Sequence, residues 1–166
     1  MSGDNRSTLI ALTLLLGIVL QVVLVFADSV DSPRKAAVEF AKAYYALDPA
    51  MAQRLCAATA GDKEDGAVAA YIWHQQQMAE KRGFEPQFMP FKLMHPEIEV
   101  LSRSDSEAQV LLSASRRRDI NPVFTWVAQI FHLGNVYPVK EELSLIKEEG
   151  RWKVCGAPFD LGDFSS

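Results

Sequence analysis

Residues Ser32–Pro49 read SPRKAAVEFAKAYYALDP, and the fold follows from how that stretch starts, repeats and stops. Ser32 offers a hydroxyl N-cap and Pro33 sits at the first helical position, where its missing N–H costs nothing. Ala37, Phe40, Ala41 and Tyr44 then recur at i, i+3, i+4 and i+7, which draws one apolar stripe along a helix. Asp48-Pro49 ends that helix and caps a second, with Met51, Ala52, Leu55 and Cys56 on one side. The polar run Gly61–Gly66 reads as a loop. A third helix follows to about Arg82, burying Val68, Tyr71, Ile72, Gln75 and Ala79, and Gly83 stops it.

Beyond this point the period changes from helical to alternating. Pro86, Pro90 and Pro96 mark an irregular approach to an extended segment with Ile98 and Val100 on one face. Ser104–Glu107 reads as a turn, and Ala108, Val110, Leu112 and Ala114 alternate along a strand. Leu143 and Leu145 mark another strand, Glu149-Gly150 a hairpin turn, and Trp152 with Val154 the last. Three helices followed by about four antiparallel strands predict an α+β domain with its helices on one face of a curved sheet.

In front of this domain, Thr8–Ala27 (TLIALTLLLGIVLQVVLVFA) carries no charge. About twenty residues at the helical rise cover roughly 30 Å, the thickness of a bilayer's hydrocarbon core. The expectation is a short cytoplasmic tail over 1–7, a transmembrane helix over 8–27 and an exported domain over 28–166. Arg6 and the terminal amine before the span, with Asp28 and Asp31 after it, favour that orientation. Val25-Phe26-Ala27 also fits a small-x-small cleavage rule, so a signal peptide releasing a secreted enzyme is the alternative. Against it, the apolar run exceeds the usual signal-peptide core of about 7–15 residues. No cysteine follows the run to carry a lipoprotein anchor. Thr13, Gly17 and Gln21 share one face of the span, where small and amide-bearing residues favour packing on a neighbouring helix.

The opening helix, the helical pairs after it and the closing Gly150–Val154 strand (GRWKV) resemble the nuclear-transport-factor-2-like superfamily over about residues 32–160. That resemblance implies the cone-shaped fold shared with ketosteroid isomerases and polyketide cyclases. With its tether, the chain is also similar to inner-membrane assembly factors of type IV secretion systems, which act through dimerisation and protein contacts. It departs from them in having almost no cytoplasmic tail. A second departure is Ile120–Val139 (INPVFTWVAQIFHLGNVYPV), where the family often needs only a tight hairpin and where no formal charge occurs. This segment either completes the core as a short helix or buried strand, or forms an apolar lobe in which Phe124, Trp126 and Phe131 dock on a partner or at the membrane interface.

The net charge of −4 argues against a nucleic-acid surface, which needs a concentrated basic face. The one basic run, Arg116–Arg118, is followed directly by Asp119 and reads as a solvated strand end, with a lipid-phosphate or acidic-partner contact as the alternative. Cys56 and Cys155 lack zinc or haem spacing. Because Cys155 is out of phase with Trp152 and Val154, two buried free thiols are expected, a disulfide being the alternative. Tyr44, Tyr45, His74, His95, His132 and Asp160 are the titratable candidates for a pocket. No pair of them aligns with a carboxylate base facing an oxyanion donor. No metal site and no cofactor are expected. The resulting expectation is a single-pass inner-membrane accessory or assembly subunit, its partners other membrane-protein subunits, with a possible homodimer through the exposed sheet face. The alternative is a cone-fold domain binding a small apolar ligand, with isomerase- or cyclase-like turnover left open.

Overall fold

The computed structural model describes residues 4–61, 66–83, 90–118, 136–159 and 161, side chains at 4–8 and 23–29 excepted. The chain divides into two compact units, Met1–Asp31 and Ser32–Ser166.

The first unit is one continuous helix, α1 (Asp4–Ser29). Its 26 residues extend about 39 Å at the helical rise. The described large apolar side chains, from Leu9 to Val22, are all between 49% and 68% exposed. Among the described residues, no helix is long and apolar enough to cross a membrane. Those side chains, residues 9–22, cover less than the roughly twenty residues that a span requires.

The second unit is α+β. In chain order it contains α2 (Pro33–Ala46), a 3-10 helix (Pro49–Arg54), α3 (Ala57–Ala60), α4 (Ala67–Lys81), and strands β1 (Phe91–Arg103), β2 (Glu107–Arg118), β3 (Tyr137–Glu148) and β4 (Arg151–Cys155). The strands form one antiparallel sheet in sequence order, β1-β2-β3-β4. At the head of α2 the Ser32 hydroxyl accepts from the Lys35 N–H at 3.2 Å, and Pro33 fills the first turn. Leu47 closes the helix in the left-handed region at φ 55°, letting the Asp48 N–H reach the Ala43 carbonyl at 2.9 Å.

The stripe read from the sequence is the buried face of α2. Ala37, Phe40 and Ala41 are fully buried and Tyr44 nearly so, together with Val110, Leu112, Leu143, Leu145, Trp152 and Val154 from the sheet. α4 buries Val68, Tyr71 and Ala79, with Ile72 and Gln75 half-buried. Glu149 and Gly150 both take positive φ, 51° and 81°, as the tight β3–β4 hairpin requires.

Three local expectations are corrected. The single helix expected after Asp48-Pro49 is a 3-10 turn followed by the four-residue α3; Met51, Leu55 and Cys56 are buried, whereas Ala52 is exposed. From Phe91 onward the approach to Ile98 is strand rather than irregular chain, while Pro86 lies outside the described residues. β1 passes through Pro96 because it is an edge strand, and a bulge takes up His95 (φ 49°) and Pro96 opposite Ala114.

The cysteines are the third correction, since Cys56 and Cys155 form a disulfide with Cα atoms 5.4 Å apart. Cys155 does lie out of phase with Trp152 and Val154. However, Leu55 bridges Val154 in parallel along the free edge of β4, and the Cys56 N–H donates to the Val154 carbonyl at 3.0 Å. Cys56 therefore meets Cys155 side-on at the strand's end, without crossing the layer. The same corner is held by the Glu148 carboxylate, which accepts from the Ala57 N–H at 3.2 Å and pairs with Lys153 at 3.1 Å. Thr59 also exchanges two 3.1 Å hydrogen bonds with the backbone of Gly156.

Candidate functional site

The end of α2 carries two adjacent tyrosines, and a helix turns about 100° per residue, so they point in different directions. Tyr44 stacks within the core. Its ring lies 4.6 Å from Tyr71 of α4 and 4.7 Å from Phe159, both nearly parallel, and its hydroxyl donates to the Phe159 carbonyl at 2.8 Å. Tyr45 meets Tyr44 and Phe159 edge-on at 5.3 Å. It faces a cleft of about 410 Å³ that is also lined by Gln75, Phe91, Arg116 and Glu141.

The two charged residues enter this cleft by the alternation of the sheet. Arg116 continues the inward phase of Ala108, Val110, Leu112 and Ala114. Glu141 is in phase with Leu143 and Leu145 and lies opposite Leu112. The Arg116 guanidinium sits over three rings, 5.0 Å from Phe91, 5.4 Å from Tyr45 and 5.9 Å from Tyr137. Its Nε is buried without a hydrogen-bond partner among the described residues. Arg116 is thus half-buried in an aromatic frame rather than a solvated strand end.

Electrostatics keep the tyrosine hydroxyls protonated. Burial pushes Tyr45 up to about 12; Arg116 opposes the shift, while Glu141 and Tyr71 add to it. Tyr71 is likewise raised by burial, against the lowering effects of its hydrogen bond with Tyr44 and of Arg116. The cleft therefore presents neutral phenols, one cation, one anion and the Gln75 amide on aromatic walls.

The other candidates are dispersed. His74 is half-buried on α4 outside the lining of this cleft, and His95 is exposed at the β1 bulge. His132 and Asp160 lie outside the described residues, as do Phe124, Trp126 and Phe131. Thr13, Gly17 and Gln21 are exposed on α1. The Thr13 hydroxyl donates to the Leu9 carbonyl at 2.8 Å, and a Cβ added at Gly17 would meet nothing within 4 Å. Among the described residues no group of three or more His, Cys, Asp or Glu is placed to hold a metal ion. The outer face of the sheet is largely polar, with Gln109, Ser113, Ser115 and Arg117 on β2 beside Lys140, Glu142 and Ser144 on β3.

Sequence reasoning named Tyr44 and Tyr45, took Arg116 as part of a solvated strand end with an anionic contact as the alternative, and missed Glu141. The available signal was a charge at an inward-phase position of an otherwise apolar alternation. It also missed Trp73, which is 61% exposed beside a shallow apolar groove that includes Pro49, Val68 and Ile72. Comparison of the chain with known protein families and with curated proteins gives no match to either.

Proposed function

We propose that the chain is a single-pass accessory or assembly subunit of an inner-membrane complex, with its C-terminal domain on the extracytoplasmic side and of the nuclear-transport-factor-2-like kind. The observation that carries this reading is α1: an unbroken helix over Asp4–Ser29, uncharged from Thr8 to Ala27 and exposing apolar side chains at consecutive positions around its axis. A helix apolar on every side belongs in a bilayer or inside a larger assembly. The Cys56–Cys155 disulfide supports the orientation, because such bonds persist in oxidising compartments outside the cytoplasm. The open face at Thr13, Gly17 and Gln21 is available to neighbouring spans, and the exposed Trp73 is the kind of anchor that protein contacts favour. The apolar sequence around Phe124, Trp126 and Phe131 and a homodimer through the outer sheet face complete the proposed contacts.

The test is gentle detergent extraction from native membranes, then sizing and mass spectrometry of whatever travels with the protein. Stoichiometric co-migration with larger membrane subunits is expected. Recovery in the soluble fraction, or migration alone, overturns the reading.

A second reading is favoured by a specific observation. The cleft at Tyr45 lies within the roughly 300–1,000 Å³ range of small-molecule sites and is lined by Arg116, Glu141 and Gln75 beside the aromatic residues. On that reading the domain binds a small ligand there, one with polar groups to meet Arg116, Glu141 and Gln75 rather than the purely apolar ligand expected from the resemblance.

A further inference from the structure

Resting on the membrane-anchored reading, we infer that the end of the sheet carrying Lys92, Arg117 and Arg118 docks on anionic lipid headgroups, with Tyr137 beside them at headgroup level.

The register gathers the charge. At this end β1 begins, β2 finishes and β3 begins, and the pairs run Phe91–Arg118, Lys92–Arg117, Leu93–Arg116 and Arg116–Tyr137. Residues 91–94, 115–118 and 136–140 hold Lys92, Arg116, Arg117, Arg118 and Lys140 and no Asp or Glu, in a chain of net charge −4. Arg116 turns inward to its aromatic frame, and Arg118 is exposed with its guanidinium 5.9 Å from the Phe91 ring. Lys92 and Arg117 share the outer face, directly opposite each other. Among the described residues neither makes a hydrogen bond or an ion pair. Like charges opposed across two strands repel, and an anion lying over both relieves that repulsion.

The occupant follows from what borders the charge. The exposed large apolar side chains described in the domain are Trp73, Leu101, Val136 and Tyr137, and the last two adjoin this edge, 56% and 45% exposed. Cations beside an exposed tyrosine and an aliphatic side chain make the composition of an interfacial contact. The cations meet headgroup phosphates, while the tyrosine and aliphatic groups enter the boundary below them. The chain leaves this edge at Arg118 and returns to it at Val136; residues 120–135 between them carry no charge and include Phe124, Trp126 and Phe131. An acidic protein surface answers the cations alone, whereas a bilayer interface answers both. Only Val30 and Asp31 separate the end of α1 from the Ser32 N-cap. An anchored chain therefore keeps its domain close to lipid, where weak contacts act at high effective concentration.

The experiment reconstitutes the full chain in lipid nanodiscs, one set of phosphatidylcholine alone and one with about a third phosphatidylglycerol, and follows lysine acetylation by mass spectrometry. Lys92 is the reporter, and Lys81 at the end of α4, also exposed, is the reference. Relative to Lys81, Lys92 should react about threefold more slowly in anionic than in neutral discs, and raised salt should erase the difference. Arg117→Gln combined with Arg118→Gln should abolish the protection, and full protection in that variant overturns the assignment. Both side chains lie outside the Tyr45 cleft. The lipid comparison uses unaltered protein, so an unfolded double variant leaves it decisive. Equal Lys92 rates in the two lipids, with the chain inserted in the discs, overturn the docking and leave the anchored reading standing. Protection in native membranes that anionic discs do not reproduce assigns the edge to a protein partner and overturns the lipid. A chain that enters neither disc overturns both.

Discussion

Tyr44 and Tyr45 are neighbours in sequence, yet their hydroxyls do different work. The Tyr44 hydroxyl ties the end of α2 to the C-terminal segment through the Phe159 carbonyl. Tyr44→Phe keeps the ring stack but removes that bond together with the hydrogen bond to Tyr71, so it should lower stability by about 2 kcal/mol in urea denaturation. A loss above about 3 kcal/mol would show that the stack itself had shifted. Tyr45 governs the alkaline limit. Its folded-state value of about 12 exceeds the unfolded tyrosine value of about 10. Its contribution to stability is therefore complete below about pH 10 and is lost as the pH rises through about 12, because the unfolded chain releases the proton first. Phenolate absorbance during a pH titration should show a late component that Tyr45→Phe reduces, the remainder belonging to Tyr71. At this scale the sequence disclosed half of the cleft. Tyr45 was nameable from its place in the opening helix. Arg116 and Glu141 were hidden because their alternation phase, not their residue type, carries the information, and because the run of three arginines looked like a solvated end.

The elements were legible wherever a local rule acts alone. α2 starts at Ser32-Pro33 and buries the stripe its spacing drew; β2 alternates as written; the hairpin turns at Glu149-Gly150. The rule failed where a non-local partner decides. β1 runs through Pro96 only because an edge strand with a bulge needs no N–H there, and edge position is a property of the sheet. The cysteine pair is the same kind of case: phase along β4 gave the correct face for Cys155, but the approach of Leu55 and Cys56 along the strand edge is tertiary. That bond fastens α3 to the end of β4 across 99 positions of sequence. Reducing it should cost about 2–5 kcal/mol, seen as a lower urea midpoint with reductant than without. Coincident midpoints would show that the backbone bonds at Val154 and Gly156 hold the corner unaided.

For the whole molecule, one helix and one α+β domain behave as separate compact units. A chain lacking residues 1–31 retains every buried residue of the core cluster. It should therefore unfold at the same temperature as the domain within the full chain, and a lower midpoint would mean that α1 also stabilises the domain. The ring closed by the disulfide gives the domain a further property. Everything from Ala57 to Val154, including α4, β1, β2 and β3, lies on one covalent loop whose two ends meet at a single bond. A protease that cuts once anywhere on that loop opens a circle and releases nothing. Nicked protein should run as one band on a gel without thiol and fall into two fragments once thiol is added. Outside the cytoplasm, where proteases are present and reductants scarce, a domain closed in this way survives a single wound in one piece.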